Sequence, residues 1–260
     1  MKRKRSLAAG SGELRVLPLC GLPEIRRGQD LAALLVRAAA RQGIQFEHGD
    51  VLVLAQKAVS KAEGRTVDLR SVTPSPLARE WAPRVAQDPR LIEVVLRESR
   101  RVIRMTERAL IVETRHGFVC ANAGVDRSNV PGKHAVTCLP DNPDASARHI
   151  AAALRRRTGV IVPVIISDTF GRPWRLGLVN VAIGAAGLRV LHDLRGTPDA
   201  RGHLLRATIL AVADELAAAA GLAMGKREDV PAVIVRGFSY RAAHESASRL
   251  LRPPEEDMFR

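Results

Sequence analysis

The stretch Val160–Gly177, VIVPVIISDTFGRPWRLG, decides how this chain is read. Its first half is a run of β-branched residues bounded by turn formers, the pattern of a buried strand. The run ends abruptly in Ser167-Asp168-Thr169, and a turn expected at Gly171 leads to Arg172, Trp174 and Arg175. A carboxylate and a hydroxyl at the carboxyl end of a buried strand stand where sheets present chemistry to a crevice. Asp168 and Thr169 are hard oxygen donors, suited to Mg²⁺ or Mn²⁺ rather than zinc. Arg172 and Arg175 carry planar, permanent cations of the kind that hold phosphate oxygens. Alone, the stretch also reads as a strand followed by a polar turn, so the rest of the chain must decide.

Two further clusters have the same design. Gly49-Asp50 opens a strong strand, Val51–Ala55, whose end leads into Gln56, Lys57 and Lys61 on what reads as a basic loop. The runs Ala109–Thr114 and Phe118–Ala121 form a hairpin around Arg115-His116-Gly117, and the second leads into NAGVDRSN (122–129). Asp126 is again a carboxylate just past a strand.

Elsewhere the pattern alternates irregularly. Leu14–Leu19 reads as a short strand left by a turn at residues 21–25, and Asp30 caps a helix to Arg41. Helices are expected over Asp88–Arg101, from Asp141 or Asn142 to Thr158, and over Leu204–Ala220, the last being the longest. Val179–Gly187 is small and apolar, Met224-Gly225-Lys226 is a turn, and Pro231–Val235 is a final buried strand. The class is α+β, with mixed sheets and packed helices rather than a regular doubly wound sheet. One domain over residues 1–250, with two subdomains allowed, and a frayed tail at 251–260 complete the reading.

Composition narrows the function. The chain has 260 residues, enough for a full core, and a formal net charge of +14 that points to phosphates, nucleotides or nucleic acid. Aromatics make up only 3%, too few for the stacking platforms of a single-strand nucleic-acid binder. A nucleic-acid partner would show steeply salt-dependent binding. Cys20, Cys120 and Cys138 show no CxxC spacing, which fits a reducing cytoplasm and excludes a zinc knuckle. Met1–Ser6 is basic but no signal-type apolar region follows, and no run suits a membrane span, so a soluble cytoplasmic protein is expected. There is no GxxxxGK[ST], no GxGxxG after a strand, no GxSxG and no HExxH. Any nucleotide is therefore handled in an unusual way.

Five separated segments, GLPEI (21–25), GDVLVLAQKAVSKAEGR (49–65), NAGVDRSNV (122–130), SDTFGRPWRLG (167–177) and AMGKREDVPAVIVRG (223–237), are similar to the coenzyme F420-0:L-glutamate ligase (coenzyme F420-0:gamma-glutamyl ligase) family. The resemblance implies a GTP-dependent ligase that adds L-glutamate, and then further γ-linked glutamates, to the deazaflavin precursor F420-0. It also implies a divalent metal, often with a stimulating K⁺, and an intertwined homodimer. Carried over residue by residue, the metal ligands fall on Asp126, Asp168 and Thr169. The nucleotide contacts fall on Leu22, Pro23, Glu24, Ile25, Gln56, Lys57, Lys61, Asn129 and the loop Met224, Gly225 and Lys226. Archaeal members tend to have small hydroxyl residues where Gln56 and Lys57 stand, and Gln or Glu where Lys226 stands. A cation cannot ligate a cation, so either a second metal is held differently here or Lys226 contacts phosphate. A related ligase or kinase acting on another carboxylate shares these expectations.

Overall fold

The computed structural model describes residues 12–107, 109–130 and 132–257; Met1–Ser6 and the last three residues of the tail lie outside them. The first elements are β1 (Arg15–Pro18), α1 (Leu31–Arg41), β2 (Val51–Ala55), α2 (Gln56–Glu63) and β3 (Thr66–Asp68). Next come α3 (Pro76–Trp81), α4 (Pro89–Arg97), β4 (Ser99–Met105), β5 (Leu110–Thr114), β6 (Val119–Ala121) and β7 (Ala135–Thr137). The chain continues through α5 (Pro143–Thr158), β8 (Val164–Arg172), β9 (Arg175–Ala186), β10 (His192–Asp193) and β11 (Ile209–Leu210). It closes with α6 (Val212–Met224) and β12 (Ala232–Arg236).

The central sheet has the order β1-β12-β2-β8-β9. Its middle strands are apolar on both faces, and their alternation divides them between two cores. Leu52, Leu54, Val164, Ile166, Ala232 and Ile234 face a core closed by α1 and α5. Val51, Val53, Ile165, Val233 and Val235 face a second core closed by α6. A third cluster fills the space between α3, α4 and the meander β4-β5-β6 beside the main sheet. The class is α+β, as the mixed pattern predicts.

Only β2 and β8 run parallel in the central sheet, with Leu52 opposite Val164 and Ala55 opposite Ser167; the other neighbours are antiparallel. The carboxyl ends of β2 and β8 therefore share one edge. Because β12 opposes β2, with Ala232 opposite Leu54, the loop before β12 reaches the same edge. Because β1 opposes β12, the chain leaving Pro18 toward Leu22 does too. Topology thus collects four connections in one place.

Several expectations change. Residues 56–63 form helix α2, not a loop; Gly64 closes it in the left-handed conformation at φ 75°. The helix expected over 88–101 stops at Arg97, because Ser99–Met105 pairs with β5, where Glu113 accepts from Arg101 at 2.8 Å. Asn142, not Asp141, caps α5, which is longer than α6 at 16 residues against 13. The helix expected from Leu204 begins at Val212 and runs through Gly221 to Met224. At Gly221 an added Cβ would stand 3.1 Å from the Asn180 side chain, so a tight crossing, not a helix end, suits this glycine. The β8 strand continues past Gly171, and the hairpin turns instead at Pro173-Trp174, with Trp174 at φ 63°. Of the tail, Pro254–Glu256 makes one 3₁₀ turn.

At the edge opposite the gathered connections, Arg236 donates to fully buried Asp50 through Nε at 2.7 Å and Nη2 at 2.9 Å. The pair joins the start of β2 to the end of β12, and Glu47 also meets the guanidinium. Removing one member of such a buried pair leaves a charge without its partner. Asp50→Ala should cost about 3 kcal/mol of stability, measured by urea unfolding. An unchanged midpoint would show that the pair holds nothing.

Candidate functional site

Where Ala55 pairs with Ser167, β2 bends away into α2 and β8 continues without that neighbour. A register shift between Ile166 and Ser167 marks the same point. The edge opens here into a cavity of about 590 Å³. Asp168 and Thr169 lie on its wall beside Gln56, Lys57 and Lys61 of α2. Leu22, Pro23, Glu24 and Ile25 form another wall, and Met224, Gly225 and Lys226 a third. Asp126 and Asn129 enter from the meander side. The structure thus brings together residues from distant parts of the chain.

Arg172 and Arg175 do not join them. They sit at the exposed tip of the β8–β9 hairpin, off the cavity wall, and Arg172 donates to the Leu176 carbonyl at 2.9 Å. The reason is the length of the hairpin: with no turn at Gly171, β8 carries Arg172 past the cavity and β9 starts from Arg175 beyond it.

Asp126 is fixed from both sides. Its backbone N–H and carbonyl pair with Thr137, and its carboxylate accepts from the Ser128 N–H at 2.7 Å and the Ser128 hydroxyl at 3.0 Å. Lys57 Nζ stands 2.6 Å from Asp126 Oδ2 and also reaches the Ser128 carbonyl at 3.1 Å. The neighbouring backbone is strained, with Asn122, Ala123 and Asn129 at φ between 51° and 56°. Such conformations persist where surrounding structure enforces them and are common at functional sites.

Asp126 and Asp168 have opposite proton affinities. Burial raises Asp126, but hydrogen bonds and charge from Lys57, with Ser128, outweigh it and hold the carboxyl below its ordinary value. Burial pushes Asp168 up to about 6; the Asp126 charge adds to this, while the Thr169 N–H, Lys57 and Lys226 oppose it. Lys226 Nζ donates to Thr169 Oγ1 at 2.6 Å, and Thr169 donates onward to Asn180 at 2.9 Å. Across the cavity, Lys61 Nζ meets Glu24 at 2.7 Å.

Ser128 and Asn180 were absent from the sequence-based set. The SDTF stretch and the Asp-Arg-Ser run were visible, but neither residue shows a role until its partner is in place. Cys120 also lines the cavity, yet burial pushes its thiol up to about 12, which removes it as a nucleophile near neutral pH. Among the described residues no helix is long and apolar enough to cross a membrane.

The hard-oxygen set is two carboxylates and a hydroxyl, and among the described residues no group of three or more His, Cys, Asp or Glu could hold a metal. This set fits one Mg²⁺-type ion that takes its remaining oxygens from water and phosphate, as that ion usually does. It does not form an all-protein cage. With Lys226 on Thr169, this side of the cavity already carries a positive charge.

Comparison with known proteins follows the same residues. The family described as F420-0:Gamma-glutamyl ligase matches residues 21–237. The chain is 47% identical over 243 residues to the Coenzyme F420:L-glutamate ligase of Methanothermobacter thermautotrophicus, covering 92% of this chain and 96% of that one. It is 44% identical over 256 residues to the enzyme of that name from Methanopyrus kandleri, covering 96% and 99%. To the one from Methanocaldococcus jannaschii it is 42% identical over 216 residues, covering 83% and 86%.

The raised Asp168 value has a measurable consequence. The folded state keeps a proton on Asp168 where the unfolded chain has released it. The stability this contributes is full below pH 3.8 and is lost as the pH rises through about 6. In chelator-treated protein, Asp168→Asn should exceed wild type in stability by roughly 1–3 kcal/mol at pH 8, with the gap narrowing toward pH 5. Denaturant melts at both pH values check this; a pH-independent gap would mean that the carboxyl is well hydrated.

Proposed function

The chain belongs to the F420-0:gamma-glutamyl ligase family, and on that footing we propose that it is a GTP- and divalent-metal-dependent ligase joining L-glutamate to F420-0, and then adding γ-linked glutamates. The observation that carries the reading is the meeting of Asp126 and Asp168 in one cavity rimmed by Lys57, Lys61 and Lys226.

The chemistry asks for such a site. A carboxylate does not condense with an amine unless it is activated. In the proposed first step a carboxylate oxygen of F420-0 attacks the γ-phosphorus of GTP, the bond to the β-phosphate oxygen breaks, and an acyl phosphate and GDP result. The glutamate amine then attacks the acyl carbon, phosphate leaves, and the amine gives up a proton. Phosphoryl transfer needs positioning and neutralisation of charge more than covalent help from the protein. Asp126, Asp168 and Thr169 would hold a Mg²⁺ or Mn²⁺ ion, which when bound neutralises phosphate charge. Lys57 and Lys61 are placed to meet phosphate oxygens once they leave Asp126 and Glu24. Lys226 fits the phosphate-contact alternative, because its ammonium reaches Thr169 beside the proposed ion and a cation cannot ligate a cation. Lys57, Lys61 and Lys226 are the cations within reach of the anionic substrates.

The second half of the proposal is a homodimer joined through the β8–β9 hairpin. Trp174, Leu176 and Leu178 are 86%, 98% and 66% exposed on one projecting arm, beyond the part of the sheet that packs on helices. Clustered exposed apolar side chains mark association surfaces. In a dimer, Arg172 and Arg175 at the arm's tip would belong to the interface rather than to their own cavity. Leu176→Asp should leave the folded protomer intact and convert the species seen by analytical ultracentrifugation to monomer. A wild-type monomer at micromolar concentration would sink this half.

The activity test is mass spectrometry after incubation with F420-0, L-glutamate, GTP and Mn²⁺. A ladder of glutamyl additions is expected. Asp168→Asn should lower the rate by about a hundredfold or more while remaining folded. A full-rate Asp168→Asn enzyme would refute the metal role, and a wild-type protein without any ladder would turn the reading to another carboxylate substrate.

A further inference from the structure

The β8–β9 hairpin carries one extra residue, and its place decides what stands behind Thr169. Up to Ile166 the pairing keeps one register, with Ile166 opposite Gly184. Beyond it Ser167 lies opposite Ala182, so Ile183 is the additional residue of a β-bulge. Ile183 packs into the core under α1 and α5, and Gly184 lies against Pro143 of α5 on the same face. Helix carboxylates hold the bulge from either side. Asp214 of α6 accepts from the Ala182 N–H at 2.8 Å, and Asp144 of α5 accepts from the Ala185 N–H at 2.8 Å.

Opposed residues of an antiparallel pair share a face. The bulge therefore sets Asn180 opposite Thr169 on the α6 side, where its side chain meets Gly221 and Met224. Without Ile183 the register would bring Val181 opposite Thr169 and turn Asn180 to the other face, opposite Phe170. Both Thr169 and Asn180 line the cavity.

Donor and acceptor chemistry then fixes a direction. An ammonium only donates, so Lys226 Nζ gives a proton to Thr169 Oγ1 at 2.6 Å. A thioether only accepts, so the Asn180 amide nitrogen faces Met224 Sδ at 3.4 Å and its carbonyl Oδ1 faces Thr169. The Thr169 hydroxyl has one proton, and Asn180 Oδ1 receives it at 2.9 Å. The hydroxyl oxygen is left with its lone pairs, one meeting Lys226 and one remaining for a ligand.

We propose that Asn180 is a positioning residue of the cavity. By taking the Thr169 proton it makes the hydroxyl oxygen an acceptor toward the cavity, and the bulge at Ile183 is the backbone device that puts it there. The inference rests on reading Asp126, Asp168 and Thr169 as the holders of a divalent ion, because a hydroxyl ligates a cation through its oxygen and not through its proton.

The test is Mn²⁺ binding, followed by electron paramagnetic resonance of the free ion. It compares wild type with Asn180→Leu, Asn180→Ala, Thr169→Val and the double variant Thr169→Val/Asn180→Leu. Leucine has the shape of asparagine but no acceptor, and Asn180→Ala keeps the test open should leucine not fit beneath Gly221. Both Asn180 variants should bind Mn²⁺ roughly fivefold more weakly or worse. The double variant should lose no more than Thr169→Val alone, since the asparagine acts through the hydroxyl. Undiminished affinity in the Asn180 variants, with Thr169→Val still weakened, would overturn the positioning role and leave the metal reading standing. Additive losses in the double variant would overturn it as well, because Asn180 would then act by packing. Mn²⁺ binding that is absent from wild type, or unchanged by Thr169→Val, would overturn Thr169 as a ligand and the positioning role with it.

Discussion

The parallel pairing of β2 with β8 is the constraint on which the rest depends. In a sheet whose other neighbours are antiparallel, this one pair sends two carboxyl ends to the same edge. Antiparallel β12 and β1 then return their connections to that edge as well. Apolar alternation on both faces of β2, β8 and β12 locks the register, because a slip of one residue would exchange the side chains of two cores. The buried Asp50–Arg236 pair secures the opposite edge.

Within the cavity, charge is kept close to balance. Asp126 pairs with Lys57, and Asp168 lies between that pair and the Lys226–Thr169 contact. The result is one carboxylate held charged and another that burial and its neighbour push toward the protonated form. Lys57 on Asp126 and Lys61 on Glu24 follow one logic: polar groups at the cavity satisfy one another within the protein.

The third core explains how a residue from outside the central sheet enters this balance. The meander β4-β5-β6 and α4 enclose Ala123 and Val125, and the Asp126–Thr137 bridge ties the following turn to β7. Gly124 is needed there, because a Cβ would lie 2.7 Å from Leu139. Packing enforces the left-handed Ala123, while Asn122 and Asn129 are of the residue type that tolerates this conformation.

Much was legible from residues 12–257 as a string. The buried strands, the β5–β6 hairpin and the polar residues at strand ends follow from period-two alternation and turn chemistry, which are local. Asp126, Asp168, Thr169 and the lysines at 57 and 61 stand out at strand ends for the same reason, whereas Lys226 and the grouping of all six into one site rest on the family resemblance. The tertiary structure alone decided which strand ends face one another, since pairing between residues more than a hundred positions apart leaves no local trace. It also decided that residues 56–63 coil into a helix where the strand loses its neighbour, that β8 outruns its expected turn and carries Arg172 and Arg175 away, and that Asp168 holds its proton more tightly than an ordinary aspartate. Those outcomes depend on what surrounds a residue, and surroundings exist only after the chain has folded.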